Sequence, residues 1–328
     1  MATTVPSSPV FISSDTLCNI LTHRTLIDHF QSTLPNATTI LETPIRQHYP
    51  LSPSSSLLLM PSWSSSPSLP YAGVKLVTHF PQNSARNLPG VQGTYVLFSS
   101  ATGQTLAAMD STHLTLYRTA CVSGLASKYL ARHDSQTLLM LGAGSLAPHL
   151  IRAHLSALPT LRKVIIWNRT LQKAQTLARE LAQSGEFHGV TFDGCGCLDE
   201  VVGLGDIVSC ATNSEAALVK GVRLKDGAHL DLVGSFKPEM KECDDEAIRR
   251  GRVFVDNEAA LVEAGELLGA FQRGVITRDH IQGTLVDLVS GLKVGRKTSH
   301  EITVFKSVGS AVVDMLAAQF VYETYTTT

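Results

Sequence analysis

The sequence predicts an α/β protein with a domain of mixed α+β structure and a parallel-sheet domain. From Thr137 onward, continuous apolar strands alternate with helices, which is typical of a parallel sheet covered on both faces. Before Leu114, apolar stretches are separated by short turns rich in Gly and Ser, which favours an antiparallel or mixed sheet. The 328 residues are enough for two domains of about 150 residues each.

The first domain is predicted to comprise residues 1–125 at the start of the chain. Its strands are expected at 10–12, 57–60, 71–78, 93–100 and 105–110. From Leu114 to Arg132, apolar residues recur mostly at three- or four-residue spacing, which predicts a helix that links the domains.

The second domain is predicted to comprise residues 126–299. Its strands are expected at 137–142, 163–168, 190–194, 206–211, 229–234 and 252–257. The tail from Ile302 to Tyr322 predicts a short strand, a turn at Gly309 and a final helix.

The composition says more about which kinds of partner the protein binds than about the cellular compartment in which it lies. Apolar residues make up 44% and charged residues 17%, as in a globular protein. The formal net charge of -1 gives no electrostatic reason to expect nucleic acid or an acidic membrane surface as a partner. No apolar run reaches the roughly 20 residues of a membrane span.

The twelve histidines form no metal-binding pattern, so no metal is expected. The six cysteines are scattered, which indicates reduced thiols in an intracellular protein, with plastid stroma and cytoplasm both open.

A glycine-rich turn follows the strand at 137–142. Gly142, Gly144 and Ala147 match the G-x-G-x-x-G/A pattern, in which the glycines permit a tight turn and close backbone approach to a pyrophosphate. A strand before and a helix after it are the context of a Rossmann dinucleotide site, although an ordinary glycine-rich turn would show the same letters. The predicted cofactor contacts in this turn are Gly142, Ala143, Gly144, Ser145, Leu146 and Ala147.

The next strand ends in Trp167-Asn168-Arg169-Thr170, where many dinucleotide folds carry a carboxylate for the adenosine ribose. A carboxylate would repel a 2′-phosphate, whereas the Arg169 guanidinium can pair with it. Asn168 keeps hydrogen-bonding capacity without charge, and Thr170 offers a hydroxyl and a helix N-cap. This end therefore predicts NADPH as cofactor, with NADH weaker; the alternative is a solvated surface arginine.

Ligands of such sheets bind beyond the carboxyl ends of the strands. By that rule Thr212 and Asn213, and Val233 and Gly234 one strand later, are further predicted cofactor contacts. An acidic run beginning at Glu242 predicts a solvated helix start.

Several stretches together resemble the ornithine cyclodeaminase/mu-crystallin family, and in particular its plant branch of ketimine reductases. Their order and spacing carry the resemblance over nearly the whole chain. They are PIRQ (44–47), LLLMP (57–61), GVKLVT (73–78), NLPG (87–90), LYRTACVSGLASKYLA (116–131), LGAGSLA (141–147), WNRT (167–170), VGSFKPEMKE (233–242), FVDN (254–257) and ITVFKSVGSAVVD (302–314).

The resemblance implies an amino-acid or cyclic imine-acid substrate whose carboxylate is held by Arg46, Lys75 and Arg118, with Lys75 also catalytic. Arg46 and Arg118 would otherwise be interdomain salt bridges, and Lys75 a lysine that extends its ammonium to solvent. The resemblance also implies that residues 300–328 belong to the first domain with residues 1–125, so that the Rossmann-type parallel-sheet domain is inserted into the mixed α+β domain. It further implies that the first domain forms a homodimer and that Ser307, Val308 and Gly309 lie near the nicotinamide. Gly309 would otherwise be only a turn.

One departure from the cyclodeaminase pattern bears on the reaction. Phe236 stands where ornithine cyclodeaminases carry an Asp for amine chemistry. A phenyl ring exchanges no proton, so Phe236 is either an apolar wall of the substrate site or a core residue. Asp231, on the preceding strand, is not expected to replace the missing acid.

The resemblance therefore implies NADPH-dependent reduction of a cyclic ketimine acid: 1-piperideine-2-carboxylate to pipecolate, or 1-pyrroline-2-carboxylate to proline. A cyclodeaminase or an amino-acid dehydrogenase is the alternative enzyme. A non-catalytic, mu-crystallin-like binding protein is the alternative of another class.

Overall fold

The computed structural model describes residues 8–86 and 88–327. Residues 1–7 of the chain and Asn87, the first residue of the NLPG stretch, lie outside that description. The contacts divide the chain into two compact units, one of Met1–Arg118 with Ser310–Thr328 and one of Thr119–Gly309.

The secondary structure follows the predicted alternation. The strands are β1 (Val10–Ile12), β2 (Gln47–Pro50), β3 (Ser56–Trp63), β4 (Tyr71–His79), β5 (Val91–Ser99), β6 (Thr105–Asp110), β7 (Thr137–Leu141), β8 (Lys163–Trp167), β9 (Thr191–Cys195), β10 (Ile207–Cys210), β11 (His229–Leu232), β12 (Gly251–Val255), β13 (Ile281–Thr284) and β14 (Ile302–Lys306). The helices are α1 (Ser14–Ile20), α2 (His23–Ile40), α3 (Ser111–Leu130), α4 (Ala147–Ala157), α5 (Leu171–Gln183), α6 (Leu198–Val201), α7 (Asp245–Arg250), α8 (Ala260–Glu263), α9 (Gly265–Gln272), α10 (Leu285–Val289) and α11 (Ala311–Thr327).

The first unit is built on a mixed sheet in the order β1-β6-β5-β4-β3-β2. Strands β2 to β6 pair antiparallel, as the short turns between them predict, and β1 pairs parallel to β6. Helix α11 packs against α2 and against strands β3 and β4. Helix α2 turns an apolar face inward, because its buried residues, including Leu26, Phe30 and Leu34, recur at helical spacing.

The second unit is built on a parallel sheet in the order β13-β12-β14-β11-β10-β7-β8-β9. Its central strands are buried along their length, which explains their continuous apolar sequences. The strand after β7 in the chain, β8, lies on one side of β7, and β10 lies on the other. This reversal creates the crevice at the carboxyl ends of the strands where such sheets bind ligands. The α/β fold class is therefore confirmed.

The unit boundaries differ from the predicted ones at two places. The first boundary falls inside α3, after Arg118 rather than after residue 125. The second falls after Gly309, because β14 is not a strand of the first unit. It lies between β11 and β12, pairs with both, and carries residues 302–306 into the parallel sheet.

Candidate functional site

The turn between β7 and α4 has the geometry that the glycine pattern predicts. Gly142 has φ +108°, a backbone conformation that favours glycine, and a Cβ there would meet the Ala211 carbonyl oxygen at 2.5 Å. A Cβ at Gly144 would meet nothing within 4 Å, so open space lies over this part of the turn. The side chain of Leu146, the N-cap of α4, makes no capping hydrogen bond. No group of the described chain accepts from the backbone N–H groups of residues 143–146, which are therefore left for a ligand. The turn thus fits a pyrophosphate.

The residues after β8 form a second, exposed turn. The Asn168 side-chain amide donates to the Thr170 carbonyl at 3.0 Å, so this side chain shapes the turn. Thr170 occupies the N-cap position of α5, but its hydroxyl makes no capping hydrogen bond. Arg169 is exposed, and no other residue of the described chain forms a hydrogen bond or ion pair with its guanidinium. The guanidinium is therefore available to an anionic ligand.

A buried carboxylate joins the ends of β10 and β11. Glu242 accepts hydrogen bonds from the Thr212 backbone N–H at 2.7 Å, the Thr212 hydroxyl at 2.8 Å and the Gly234 backbone N–H at 2.7 Å. Burial raises the pKa of Glu242. Asn213 is exposed and Val233 is buried. The prediction of Glu242 as a solvated residue was wrong, whereas Asp244 caps α7 as a helix start should.

A second carboxylate shapes the segment after β14. One oxygen of Asp256, Oδ2, accepts from the Ser307 hydroxyl at 2.9 Å, the Val308 N–H at 3.0 Å and the Gly309 N–H at 2.6 Å. Gly309 has φ +80°, as a turn requires. Burial raises the pKa of Asp256 despite these hydrogen bonds. Ser307 and Gly309, predicted near the nicotinamide, thus belong to one fixed turn of the second unit.

Two of the predicted substrate bases converge on one acid in the first unit. Lys75 Nζ lies 2.7 Å from Asp314 Oδ2, and Arg118 Nε lies 2.8 Å from Asp314 Oδ1. Lys75 projects from β4 and is 2% exposed, so it does not extend to solvent. Arg118, on α3, pairs within its own unit, and the interdomain salt bridge considered for it is therefore wrong. Two buried cations and one anion leave a net positive charge for a further carboxylate.

Burial and neighbouring charges shift the pKa of both Lys75 and Asp314. Burial lowers the pKa of Lys75 to about 8; Asp314 opposes the shift, while Arg118 and Arg46 add to it. Burial alone would raise the pKa of Asp314, but Arg118 and Lys75 together hold it below its usual range. Arg46 is half-buried in the same unit and acts on Lys75 through its charge. The structure therefore brings the three predicted bases into one electrostatic group.

Phe236 and Asp231 occupy different environments. The Phe236 side chain is 43% exposed, so it is not a core residue. Asp231 is fully buried in the second unit, where it accepts from Ser123 at 2.9 Å and from Ser209 at 2.7 Å and contacts His154. Asp231 is therefore a structural residue, in keeping with its omission from the predicted site.

Three acids of these sites were not predicted from the sequence: Asp314, Asp256 and Glu242. The signal for Asp314 is a single acid in the apolar stretch SAVVDMLAA, together with the requirement that a buried lysine have an anionic partner. Asp256 and Glu242 follow apolar strands or turns in ordinary acidic contexts, and no spacing distinguishes them.

Neither a metal centre nor a membrane span is found in residues 8–86 and 88–327. No cluster of three His, Cys, Asp or Glu side chains there could hold a metal ion. No helix in the same ranges has the length and apolar character needed to cross a membrane.

Two known proteins are similar in sequence over most of the chain. The chain is 63% identical over 317 residues to Protein SAR DEFICIENT 4 of Arabidopsis thaliana, covering 97% of this chain and 98% of that protein. It is 38% identical over 287 residues to a Delta(1)-pyrroline-2-carboxylate reductase of Colwellia psychrerythraea, covering 85% and 89%.

A solved structure matches over nearly the same extent. The Delta(1)-pyrroline-2-carboxylate reductase of Thermococcus litoralis, in complex with NADH and L-proline, has a TM-score of 0.87 and 30% identity, with 96% of each chain covered. The sequence profile of the ornithine cyclodeaminase/mu-crystallin family matches residues 17–328. With that match and these two sites, the chain belongs to the ornithine cyclodeaminase/mu-crystallin family.

Proposed function

We propose that this chain reduces a cyclic ketimine acid with NADPH, converting 1-piperideine-2-carboxylate to pipecolate or the smaller 1-pyrroline-2-carboxylate to proline. The chain is an oxidoreductase that acts on carbon–nitrogen bonds with a nicotinamide cofactor, as are relatives of this family. The choice of a cyclic ketimine acid as substrate rests on the buried group of Lys75, Arg118 and Asp314. The net positive charge of this group suits a substrate with one carboxylate.

Arg118 and Arg46 would hold the substrate carboxylate. Arg118 contacts Asp314 through Nε, and its guanidinium carries further N–H donors that can bind a carboxylate in bidentate geometry. Asp314 fixes the direction of that guanidinium before substrate binds, which lowers the entropy lost on binding. Arg46 adds positive charge to the same group.

Lys75 would supply the proton. When bound, the dinucleotide supplies the hydride that adds to the imine carbon. The Lys75 ammonium gives a proton to the imine nitrogen, so the C=N bond becomes a CH–NH bond and the lysine becomes neutral. A pKa of about 8 suits this transfer, because the ammonium is mostly charged near neutral pH and releases its proton readily. Solvent then returns the proton.

NADPH is proposed over NADH because of the turn after β8. Arg169 is exposed, with no acid paired to it among the described residues, so a 2′-phosphate would meet a free guanidinium rather than a carboxylate. The hydroxyl of Thr170, which caps no helix N–H, is a further donor there.

A homodimer formed through the first unit is also proposed. Strand β2 is an exposed sheet edge, and apolar side chains beside it are exposed, with Ile45 at 91% and Leu51 at 54%. Such an edge is normally covered. Light scattering after size exclusion should give twice the 35.3 kDa chain mass, and a monomer would contradict this part of the proposal.

One kinetic comparison tests the reaction itself. Purified protein is assayed with 1-piperideine-2-carboxylate and 1-pyrroline-2-carboxylate, each with NADPH and NADH, by the loss of absorbance of the reduced nicotinamide. We expect turnover with both imines and a lower KM for NADPH than for NADH. If neither imine is reduced, the proposal is contradicted. Release of ammonia from ornithine would favour a cyclodeaminase. NADPH binding without turnover, seen by calorimetry, would favour a binding protein.

A further inference from the structure

The turn after β14 is held by Asp256 and Asn257 of the FVDN stretch, two residues to which the sequence analysis assigned no role. Asp256 follows β12, the neighbouring strand in the sheet, and receives three hydrogen bonds on its Oδ2 from residues 307–309. Its other oxygen, Oδ1, accepts from the Asn257 N–H at 2.8 Å. Every oxygen of this carboxylate therefore has a donor, and the turn is tied to an adjacent strand.

Asn257 holds the same turn from its far side. Its Nδ2 donates to the Gly309 carbonyl at 3.3 Å, while its Oδ1 accepts from the Ala259 N–H at 3.0 Å. The N–H and the carbonyl of Gly309 are thus both fixed by the Asp256-Asn257 pair. A turn with φ +80° at Gly309 has few other conformations once the N–H and the carbonyl of Gly309 are both hydrogen-bonded.

Backbone N–H groups that donate to the half-buried Asp256 carboxylate are not available to a phosphate. The Val308 and Gly309 N–H groups point to Asp256, so this turn differs from the uncapped turn at Gly144, whose donors remain for a pyrophosphate. A negative group beside the turn also disfavours a phosphate there. The turn is therefore suited to an uncharged or positively charged part of a ligand.

We propose that Asp256 is a positioning residue for the nicotinamide end of the cofactor, which acts through the Ser307–Gly309 turn, with Asn257 as its partner. This inference rests on the proposed function, and it takes that turn as a nicotinamide contact because the family resemblance implies one there. The fixed turn sets the orientation of the ring, whereas the pyrophosphate is held independently at Gly144 and the adenosine 2′-phosphate at Arg169. Asp256 itself touches neither substrate nor reacting atoms.

The test separates the two ends of the cofactor. Asp256→Asn keeps the size of the side chain, but its amide presents N–H groups to donors, so at least one of the present hydrogen bonds is lost. We expect the Kd of NADPH, followed by nucleotide fluorescence, to rise roughly tenfold, as for the loss of one hydrogen bond to a charged group. The Kd of 2′,5′-ADP, which lacks the nicotinamide, should stay within about twofold.

Control variants make the result specific. Asp279→Asn removes an exposed carboxylate of the same unit and should change neither Kd. Asn257→Ala leaves the charge unchanged, should weaken NADPH selectively as well, and carries the test if Asp256→Asn does not fold. Equal loss of NADPH and 2′,5′-ADP affinity, or no loss of either, overturns the inference.

The proposed function can fail without this inference failing. If the wild type binds NADH and 5′-ADP but not 2′,5′-ADP, the choice of NADPH is wrong, and the same comparison is made with NADH and 5′-ADP. If no imine is reduced, the binding measurements still decide whether Asp256 acts on the nicotinamide end alone.

Discussion

The carboxylate of Asp314 lies 2.7 Å from the ammonium of Lys75, and both side chains are almost fully buried. A lone ammonium in such a place would lose most of its hydration without compensation. Asp314 therefore makes a buried cation tolerable and leaves it with a lowered pKa, about 8, at which it can give up its proton. The same acid directs Arg118, so one residue outside the predicted site organises two residues within it.

Removing Asp314 should destabilise the protein more than removing Lys75. Asp314→Asn leaves two buried cations unpaired, and breaking such a pair costs about 3–5 kcal/mol. Lys75→Met leaves Asp314 paired with Arg118 and should cost less. The double variant should lose less than the sum of the two, because the lysine that repels Arg118 is gone. Urea unfolding of the three variants gives the change in the free energy of unfolding for each. If the change in the double variant equals the sum of the two single changes, Asp314 and Lys75 are not coupled.

The activity should decline as pH rises through the pKa of Lys75. The protonated lysine is the proposed acid, so kcat/KM for the imine should fall above about pH 8 as the free enzyme loses that proton. In Lys75→Arg the guanidinium stays charged, and this limb should vanish while the rate drops, because the new group is a poor acid. A profile from pH 6 to 10, corrected for the titration of the imine itself, checks this. If kcat/KM of Lys75→Arg still declines over the same pH range, the pKa belongs to another group.

Arg118 should affect binding of the substrate rather than of the cofactor. Arg118→Ala removes a charged hydrogen-bonding partner worth about 1.5–3 kcal/mol, so the KM of the imine should rise roughly 10- to 150-fold. Arg118→Lys keeps the charge but loses bidentate geometry, so its KM for the imine should lie between the values of the wild type and of Arg118→Ala. Arg24→Ala, at an exposed arginine of the same unit, is the control. If the KM of the imine is unchanged, Arg118 does not bind the carboxylate.

Much of this architecture could be predicted, because the parallel strands are continuous apolar runs and the glycine pattern occurs only once after a strand. The two helices at 14–20 and 23–40 and strand β2 were not anticipated. The polar sequence of β2 gives no alternation of apolar residues to detect, and it is exposed on all four residues. β14 was assigned to the wrong unit because pairing partners far apart in sequence leave no local signal.

Some residues of the candidate site could likewise be proposed from the sequence, and others could not. Lys75, Gly142 and Gly144 are residues whose type is unusual for its local context, so the sequence could propose them as site residues. Asp314, Asp256 and Glu242 are ordinary acids in sequence. Only the fold shows that Asp314 forms ion pairs with Lys75 and Arg118, and that Asp256 and Glu242 accept hydrogen bonds from segments distant in the chain. Residues that act through partners brought together by tertiary structure carry little signal of their own.

Arg169 should decide the preference between the two dinucleotides. Arg169→Ala removes the pairing with a 2′-phosphate, so kcat/KM for NADPH should fall about tenfold or more, while the value for NADH changes by less than about twofold. Arg179→Ala, at an exposed arginine of the helix that follows, should affect neither. The ratio of the two kcat/KM values is the measurement. An equal fall for both cofactors would indicate that Arg169 contacts a part common to them.

The two glycines of the phosphate turn should respond differently to the same change. Gly142→Ala places a methyl group 2.5 Å from the Ala211 carbonyl oxygen in a backbone conformation with φ +108°, so it should lower the free energy of unfolding as well as cofactor affinity. At Gly144 a methyl group meets nothing within 4 Å, so Gly144→Ala should leave thermal stability without cofactor nearly unchanged. It should still weaken NADPH, because the methyl group occupies the space where a pyrophosphate approaches the backbone. Calorimetric melting without cofactor and a fluorescence titration with NADPH separate the two effects. Full NADPH affinity in Gly144→Ala would mean that the pyrophosphate lies elsewhere.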